Sequence, residues 1–392
     1  MKTKSVIIFS LLFVFIGNVF SQSFDGILKT IEENNMDIQA GKKYVESKSN
    51  EYRQHNLPEG PELKYGYFPK NNTVPGTKEV FEVSQSFQMP CFYRNHTAYS
   101  KLMIGKEELN QSILRQNILD EAKSLLIEYV YLRKKIAIMD KRLKFADDIH
   151  NASLIRLELG DANALEINKA KLHLMQVQKQ EKESRTEISA IKEKLKSLNG
   201  GEEIDLFVND YPMESLIEID SVLFNRLSVD PELLYSQKSV EASQKQLKVT
   251  KNLQLPKFSL GYGTETVANE KFKGFLVGVS IPLWSSKRAI QQAKFETQYY
   301  DLSAMSINQT KIAETNVLYK KASSLEENLN SYKTVLSSVN SEVLLNQSLE
   351  AGEISIIDFF TEMFYYYEVY DDFLKVEKDY HKALAELYRY RL

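Results

Sequence analysis

Pro256-Lys257-Phe258-Ser259-Leu260-Gly261-Tyr262 decides how this chain is read, because Pro61-Glu62-Leu63-Lys64-Tyr65-Gly66-Tyr67 precedes it by 195 residues in the same pattern. Each begins with proline, alternates apolar with polar or small side chains, and sets glycine before tyrosine. Asn35-Met36-Asp37-Ile38 returns at the same spacing as Asp230-Pro231-Glu232-Leu233. Ser84 to Pro90 recurs around Ser280 to Pro282, and Leu157-Glu158-Leu159-Gly160 returns as Leu349-Glu350-Ala351-Gly352, now 192 residues on. A long-period repeat sets the architecture before any single residue does. The expected order of parts in each copy is helix, strand, turn, strand, long helix, glycine-marked turn, helix. The copies are assigned to 22–205 and 206–392, with hairpins at about 61–90 and 256–283. The change of spacing places a three-residue length difference in the strand–turn–strand section, where a loop absorbs it.

The strand segments are sided. Phe81, Val83 and Phe87 share one face, opposite Glu82, Ser84 and Ser86. Phe258, Leu260 and Tyr262 oppose Ser259, Gly261 and Gly263, while Phe275, Val277, Val279 and Ile281 oppose Gly278 and Ser280. That is the apolar-out, polar-in alternation of a transmembrane β-strand, at close to the ~9–11 residues needed to cross. Tyr65, Tyr67, Phe68 and Trp284 suit the membrane–water boundary. Two hairpins give four strands, too few to close a barrel, and an open sheet edge in hydrocarbon leaves backbone groups unsatisfied. Several chains are therefore expected to share one barrel.

The remainder reads as long helices. Leu125, Tyr129, Leu132, Ile136, Met139 and Leu143 follow a 4-3-4-3-4 spacing. Leu318, Ala322, Leu325, Leu329, Tyr332, Leu336, Val339 and Val343 continue the rule in the second copy, and Ile188, Ile191, Leu195 and Leu198 carry it on a returning helix. A period of 3.5 is the seam of helices packed lengthwise. Phe92 to Arg156 contains no proline and only Gly105 as a weak point, so one helix of about 100 Å is expected there. Such a helix exceeds any compact globule. A periplasmic coiled-coil adaptor or scaffold is the rival explanation, and the sided strands argue against it.

Lys2, Lys4, the apolar run Val6 to Phe15 and the small-residue site Val19-Phe20-Ser21 read as a secretory signal over 1–21, leaving Gln22 first. With 50 basic and 53 acidic residues the net charge is −3, which indicates no nucleic-acid partner. The single Cys91 excludes an intramolecular disulfide. His55, His96, His150, His173 and His381 lack paired metal-ligand spacing, and Gly261-Tyr262-Gly263 lacks the third glycine and following helix of a nucleotide loop. The reading is of a non-enzyme with no cofactor and no metal site.

Leu255-Pro256-Lys257-Phe258-Ser259-Leu260-Gly261, followed by Gly278-Val279-Ser280-Ile281-Pro282-Leu283, resembles the second hairpin of the outer-membrane efflux protein family typified by TolC. The Leu-x-x-Gly turns at Gly160 and Gly352, followed by Glu166 and Asp358, resemble its tunnel-end turns. The resemblance spans essentially the whole mature chain. It implies a mainly α fold with membrane β: a homotrimer whose four-strand contributions make a twelve-stranded outer-membrane barrel, continuous with a twelve-helix tunnel in the periplasm. The implied partners are outer-membrane lipid, a periplasmic adaptor (membrane fusion) protein and an inner-membrane pump of RND or ABC type. The implied function is the passive exit duct of a tripartite efflux system, with the duct of a type I protein secretion system as the alternative. Asn199 to Pro212, with Gly200-Gly201, resembles the equatorial segment outside the tunnel.

On that reading Leu157, Gly160, Leu349 and Gly352 form the periplasmic tip and meet the adaptor. Glycine suits a left-handed helix stop there, and Asp161 or Ser355 is expected to cap the next helix. Glu166 and Asp358 are candidates for a tunnel gate, because carboxylates converging on one axis repel one another and favour cations. Thr361 and Ile354 depart from the family pattern of a second acid and a basic neighbour, which speaks against an ionic lock. The aromatic run Phe359 to Tyr367 reads as helix–helix core. Nothing in the sequence selects a cargo.

Overall fold

The computed structural model describes residues 23–69, 76–160, 163–267, 270–282, 286–339 and 341–392. The signal segment, Asp161 and Trp284 lie outside them. The first half comprises α1 (Phe24–Asn34), α2 (Met36–Gln54), β1 (Glu62–Phe68), β2 (Lys78–Phe87), α3 (Pro90–Glu158) and α4 (Ala164–Leu198). The second comprises α5 (Ile219–Val229), α6 (Pro231–Asn252), β3 (Lys257–Val267), β4 (Glu270–Ser280), α7 (Ser286–Ser338), α8 (Ser341–Glu350) and α9 (Ile356–Leu387). The order of parts runs twice. In the first hairpin β1 has 7 residues and β2 has 10, whereas β3 and β4 extend to 11 residues each.

Local chemistry explains the starts. Asn35 accepts from the Ile38 amide at 3.0 Å and caps α2, while its own amide donates to the Leu198 carbonyl at 2.8 Å. Asp230, in the matching place, accepts from Glu232 and precedes Pro231 at the first helical position. Pro90 opens α3, which then runs 69 residues, about 100 Å, as expected. Its counterpart is divided between α7 and α8. Near the end of α7 the hydroxyls of Ser337 and Ser338 bond back to the carbonyls of Thr334 and Val335, an arrangement that competes with helix continuation.

The four strands form one antiparallel sheet in the order β1-β2-β3-β4. The helices they join follow the same order, since α2 packs on α3, α3 on α6 and α6 on α7. Farther from the sheet the order becomes α4, α3, α9, α7, with α8 against α9. The 3.5-residue seam is realised on α3, where Tyr129, Leu132, Ile136 and Met139 are buried, on α4 at Ile191 and Leu195, and on α7 at Ala322 and Leu329. It does not continue to Val339 and Val343, which are exposed where the helix is divided. One mid-length cluster joins α1, α3 and α4, with Val208 of the irregular 199–218 segment inserted. A second joins α5, α7 and α9. A third lies near the far tip, where Ile149, Ala170, Phe359 and Met363 meet. Among the described residues no helix is long and apolar enough to cross a membrane.

Candidate functional site

The register fixes the two faces of the sheet. Val83 pairs with Leu63 and Tyr262, Tyr262 with Phe275, Leu260 with Val277, and Phe258 with Phe87 and Val279. Directly opposed residues share a face, so these form one apolar surface across all four strands. It is uncovered, with Phe275 89% and Val277 74% exposed. The opposite face is mostly polar or small, with Lys64, Glu82, Ser84, Ser86, Ser259, Gly261, Gly263, Gly274 and Gly278, interrupted by Val80, Phe272 and Leu276, and there Lys78 pairs with Glu265 at 2.7 Å. Both outer strands have one edge unpaired within the chain. A sheet with one greasy face and two free edges is unfinished in water and in lipid alike.

At the other end the two tips stand side by side. Gly160 and Gly352 hold φ of 80° and 74°, the left-handed conformation that glycine adopts without a Cβ clash. At Gly352 the stop is complete: its amide bonds to the Leu349 carbonyl at 3.1 Å and that of Glu353 to Ser348 at 2.9 Å. The Gly160 amide reaches Leu157 at 2.9 Å. Glu166 and the Gly352 turn line one cleft, together with Ile149, Ala152, Ile354 and Ser355.

Glu166 and Asp358 each sit three residues after a helix cap. Ser355 accepts from the Asp358 amide at 3.1 Å, and its hydroxyl donates to the Asp358 carboxylate at 2.7 Å. In the first copy Asn163 accepts from the amides of Leu165 and Glu166 at 3.0 Å and donates to the Glu166 carboxylate at 3.0 Å. Both acids therefore close reciprocal caps. Ser355 is the expected cap. Asn163 was missed by sequence reading, although Asn-x-x-Glu is its signature.

Sequence reading also missed Arg142. The 3.5 period points to Leu143, but Arg142 takes the buried place, 5% exposed, with two bonds to Asp371 of α9 at 2.9 and 2.8 Å. Its guanidinium lies 4.0 Å from the centre of the Tyr367 ring. Burial, with Arg142 nearby, holds the His173 imidazole below its ordinary range. At mid-length His381 stacks on Tyr211 at 4.3 Å, and burial pushes it down to about 4. No spacing rule reaches such contacts, because each joins segments far apart in sequence. In the aromatic run Phe359 and Met363 are core, whereas Phe364 and Tyr365 are exposed.

No family model matches the sequence, and no curated protein matches it. The fold is one shared with solved structures of outer membrane channels. The MtrE outer membrane channel of Neisseria gonorrhoeae, in its open state, superposes with a TM-score of 0.79 at 12% identity, over 94% of this chain and 88% of that one. The Campylobacter jejuni CmeC outer membrane channel gives 0.74 at 14%, over 94% and 85%. CusC, whose structures concern folding and transmembrane channel formation, gives 0.78 at 14%, over 95% and 92%. These likenesses establish the fold: long packed helices continuous with a four-stranded antiparallel sheet.

Proposed function

We propose that three copies of this chain close into a passive outer-membrane exit duct for a tripartite efflux assembly. The observation that carries the reading is the four-strand sheet, apolar on one face and open at both edges, continuous with helices about 100 Å long. The internal repeat supports a route to closure. Within the chain β2 pairs with β3, α3 with α6 and α3 with α9. The same kind of junction between copies sets β4 against the next β1, α7 against the next α2, and the α7–α8 rim against the next α4. Exposed Phe295, Tyr299, Leu302 and Met305 on α7 lie on the rim that this closure covers.

The barrel spans the outer membrane and the helices project into the periplasm. The polar sheet face then lines a water-filled lumen, so cargo diffuses through without chemistry, and an adaptor and an energised inner-membrane pump engage the tips. Leu157, Gly160, Leu349 and Gly352 form that contact region, and Glu166 and Asp358 flank its mouth. A duct for type I secretion shares this geometry. A scaffold that stays in the aqueous periplasm would leave the sheet face and both edges exposed to water.

The test combines strand cross-linking with conductance. In a Cys91→Ser background, Tyr65→Cys is paired with Val277→Cys or Val279→Cys, positions on the two free strands and the same face. Oxidation or a short thiol cross-linker is expected to give covalent trimers from the membrane fraction, and the trimers to conduct ions in planar bilayers. Protein confined to the soluble fraction, or monomers at every pairing, overturns the reading.

A further inference from the structure

The outward sheet face changes chemistry along its length. Nearest the helices one row is Phe87, Phe258 and Val279, and the next is Gln85, Leu260 and Val277. The third, Leu63, Val83, Tyr262 and Phe275, includes an edge-on aromatic pair at 5.5 Å. The fourth row is Tyr65, Phe81, Thr264 and Lys273, and the fifth Tyr67, Glu79, Thr266 and Lys271. An apolar wall thus ends in a rim of tyrosine, threonine and lysine, the side chains that suit a boundary with an apolar body and a polar tip.

Lys271 and Lys273 stand on neighbouring rows of β4, about 7 Å apart along the strand. Neither forms an ion pair among the described residues, unlike Lys78 and Lys64 on the inward face, which hold Glu265 and Glu62. The one carboxylate on the outward face, Glu79, lies on β2, two strands or about 10 Å from β4. The outward residues of β1 are Leu63, Tyr65 and Tyr67, so the next copy brings no acid to this face from its strand. The segments 69–77 and 268–269 contain no Asp or Glu, and Glu270, which precedes Lys271, falls on the inward face by the strand alternation. Two cations without a counter-charge, set where the wall leaves hydrocarbon, match the anionic layer of a membrane surface.

We propose that Lys271 and Lys273 of each chain seat the phosphate of an anionic membrane-lipid headgroup at the distal rim of the barrel. The apolar rows beneath receive the acyl chains of the same molecule, which is what distinguishes a lipid from free phosphate. The inference rests on the barrel reading given above and names a ligand for its lipid-facing surface.

Detergent-purified trimer is titrated with diphosphoryl lipid A, with the same glycolipid lacking its phosphates, and with inorganic phosphate, and bound molecules are counted by native mass spectrometry. Diphosphoryl lipid A is expected to be retained and the dephosphorylated form not. Lys271→Gln with Lys273→Gln is expected to weaken retention about thirty-fold, from the ordinary contribution of two lysines at a membrane surface. The Lys271→Arg, Lys273→Arg variant keeps it, and Lys64→Gln on the inward face leaves it unchanged. Equal retention of both glycolipids by the wild-type protein overturns the proposal without any variant. Displacement by millimolar inorganic phosphate would overturn the lipid as the source. Planar-bilayer conductance separates the two readings, since conducting trimers that ignore the phosphates sink this proposal alone, and a protein that neither conducts nor needs detergent sinks the barrel.

Discussion

The α3–α4 tip and the α8–α9 tip share a glycine stop and a reciprocal cap, and differ in what lies beneath them. Around Gly160 the apolar side chains Leu154, Ile155, Leu157, Leu159 and Leu165 face solvent, with Leu159 71% exposed. Around Gly352 the corresponding chemistry is turned inward: Leu345, Leu349 and Ile354 pack against Ile149, Phe359 and Met363. The α3–α4 tip is the barer of the two, although Val343 and Leu344 of α8 are also exposed. Exposed apolar area of that kind marks a place where another surface belongs.

The flanking seams diverge as well. Arg142, Phe145, Ala146 and Ile149 of α3 stand where α7 and α8 have Thr334, Ser337, Ser338 and Ser341, 192 residues on, and Asp371 of α9 stands where α4 has Lys179. Inside the chain this level of the wall is held by a bidentate ion pair and an aromatic cluster. In the proposed trimer the quasi-equivalent seam between copies would bring together small hydroxyl side chains, with Lys179 in place of Asp371. On that proposal the wall is firmer within each chain than between chains, and the joints between copies are where the mouth is expected to part.

The largest expected effect tests that contrast. Asp371→Asn leaves Arg142 buried without a counter-charge and lowers the free energy of unfolding of the solubilised protein, read from urea titration, by about 3 kcal/mol, while Lys179→Ala, its exposed counterpart, stays within about 0.5 kcal/mol. Equal losses from the two would erase the distinction between the seams. Next in size, Leu349→Ala costs about 2 kcal/mol of stability through the cavity it leaves. Leu157→Ser is expected to leave unfolding unchanged and to reduce export with trimers intact. Normal export from the Leu157 variant would move the contact surface elsewhere. The smallest effect belongs to Asp358→Asn, which keeps most of the cap at a cost of about 0.5 kcal/mol and reduces cation preference in single-channel recordings. Unchanged selectivity would leave Asp358 as a capping residue alone.

Much of this was legible beforehand because it is local or periodic. The faces of Phe258, Leu260, Tyr262, Phe275, Val277 and Val279 follow from a two-residue alternation, and the α3 seam from a 3.5-residue one. Both survived tertiary packing. The cap at Asn163 was equally local and went unread because Asp161, two residues earlier, offered the same chemistry. Arg142 was not legible, since a charged residue beside Leu143 reads as solvent-facing until α9 is brought across with Asp371.

The sequence by itself determined the duplicated order of elements, the sidedness of the strands and the two glycine stops, because these depend on spacing, side-chain alternation and backbone conformation within a few residues. Only the tertiary structure decided which strands and helices form the two rims of the wall, which tip is the barer, and where Arg142 finds its partner. Those outcomes depend on contacts between segments hundreds of residues apart, and a repeat leaves them open, because two similar copies can be assembled alike and still bury different faces.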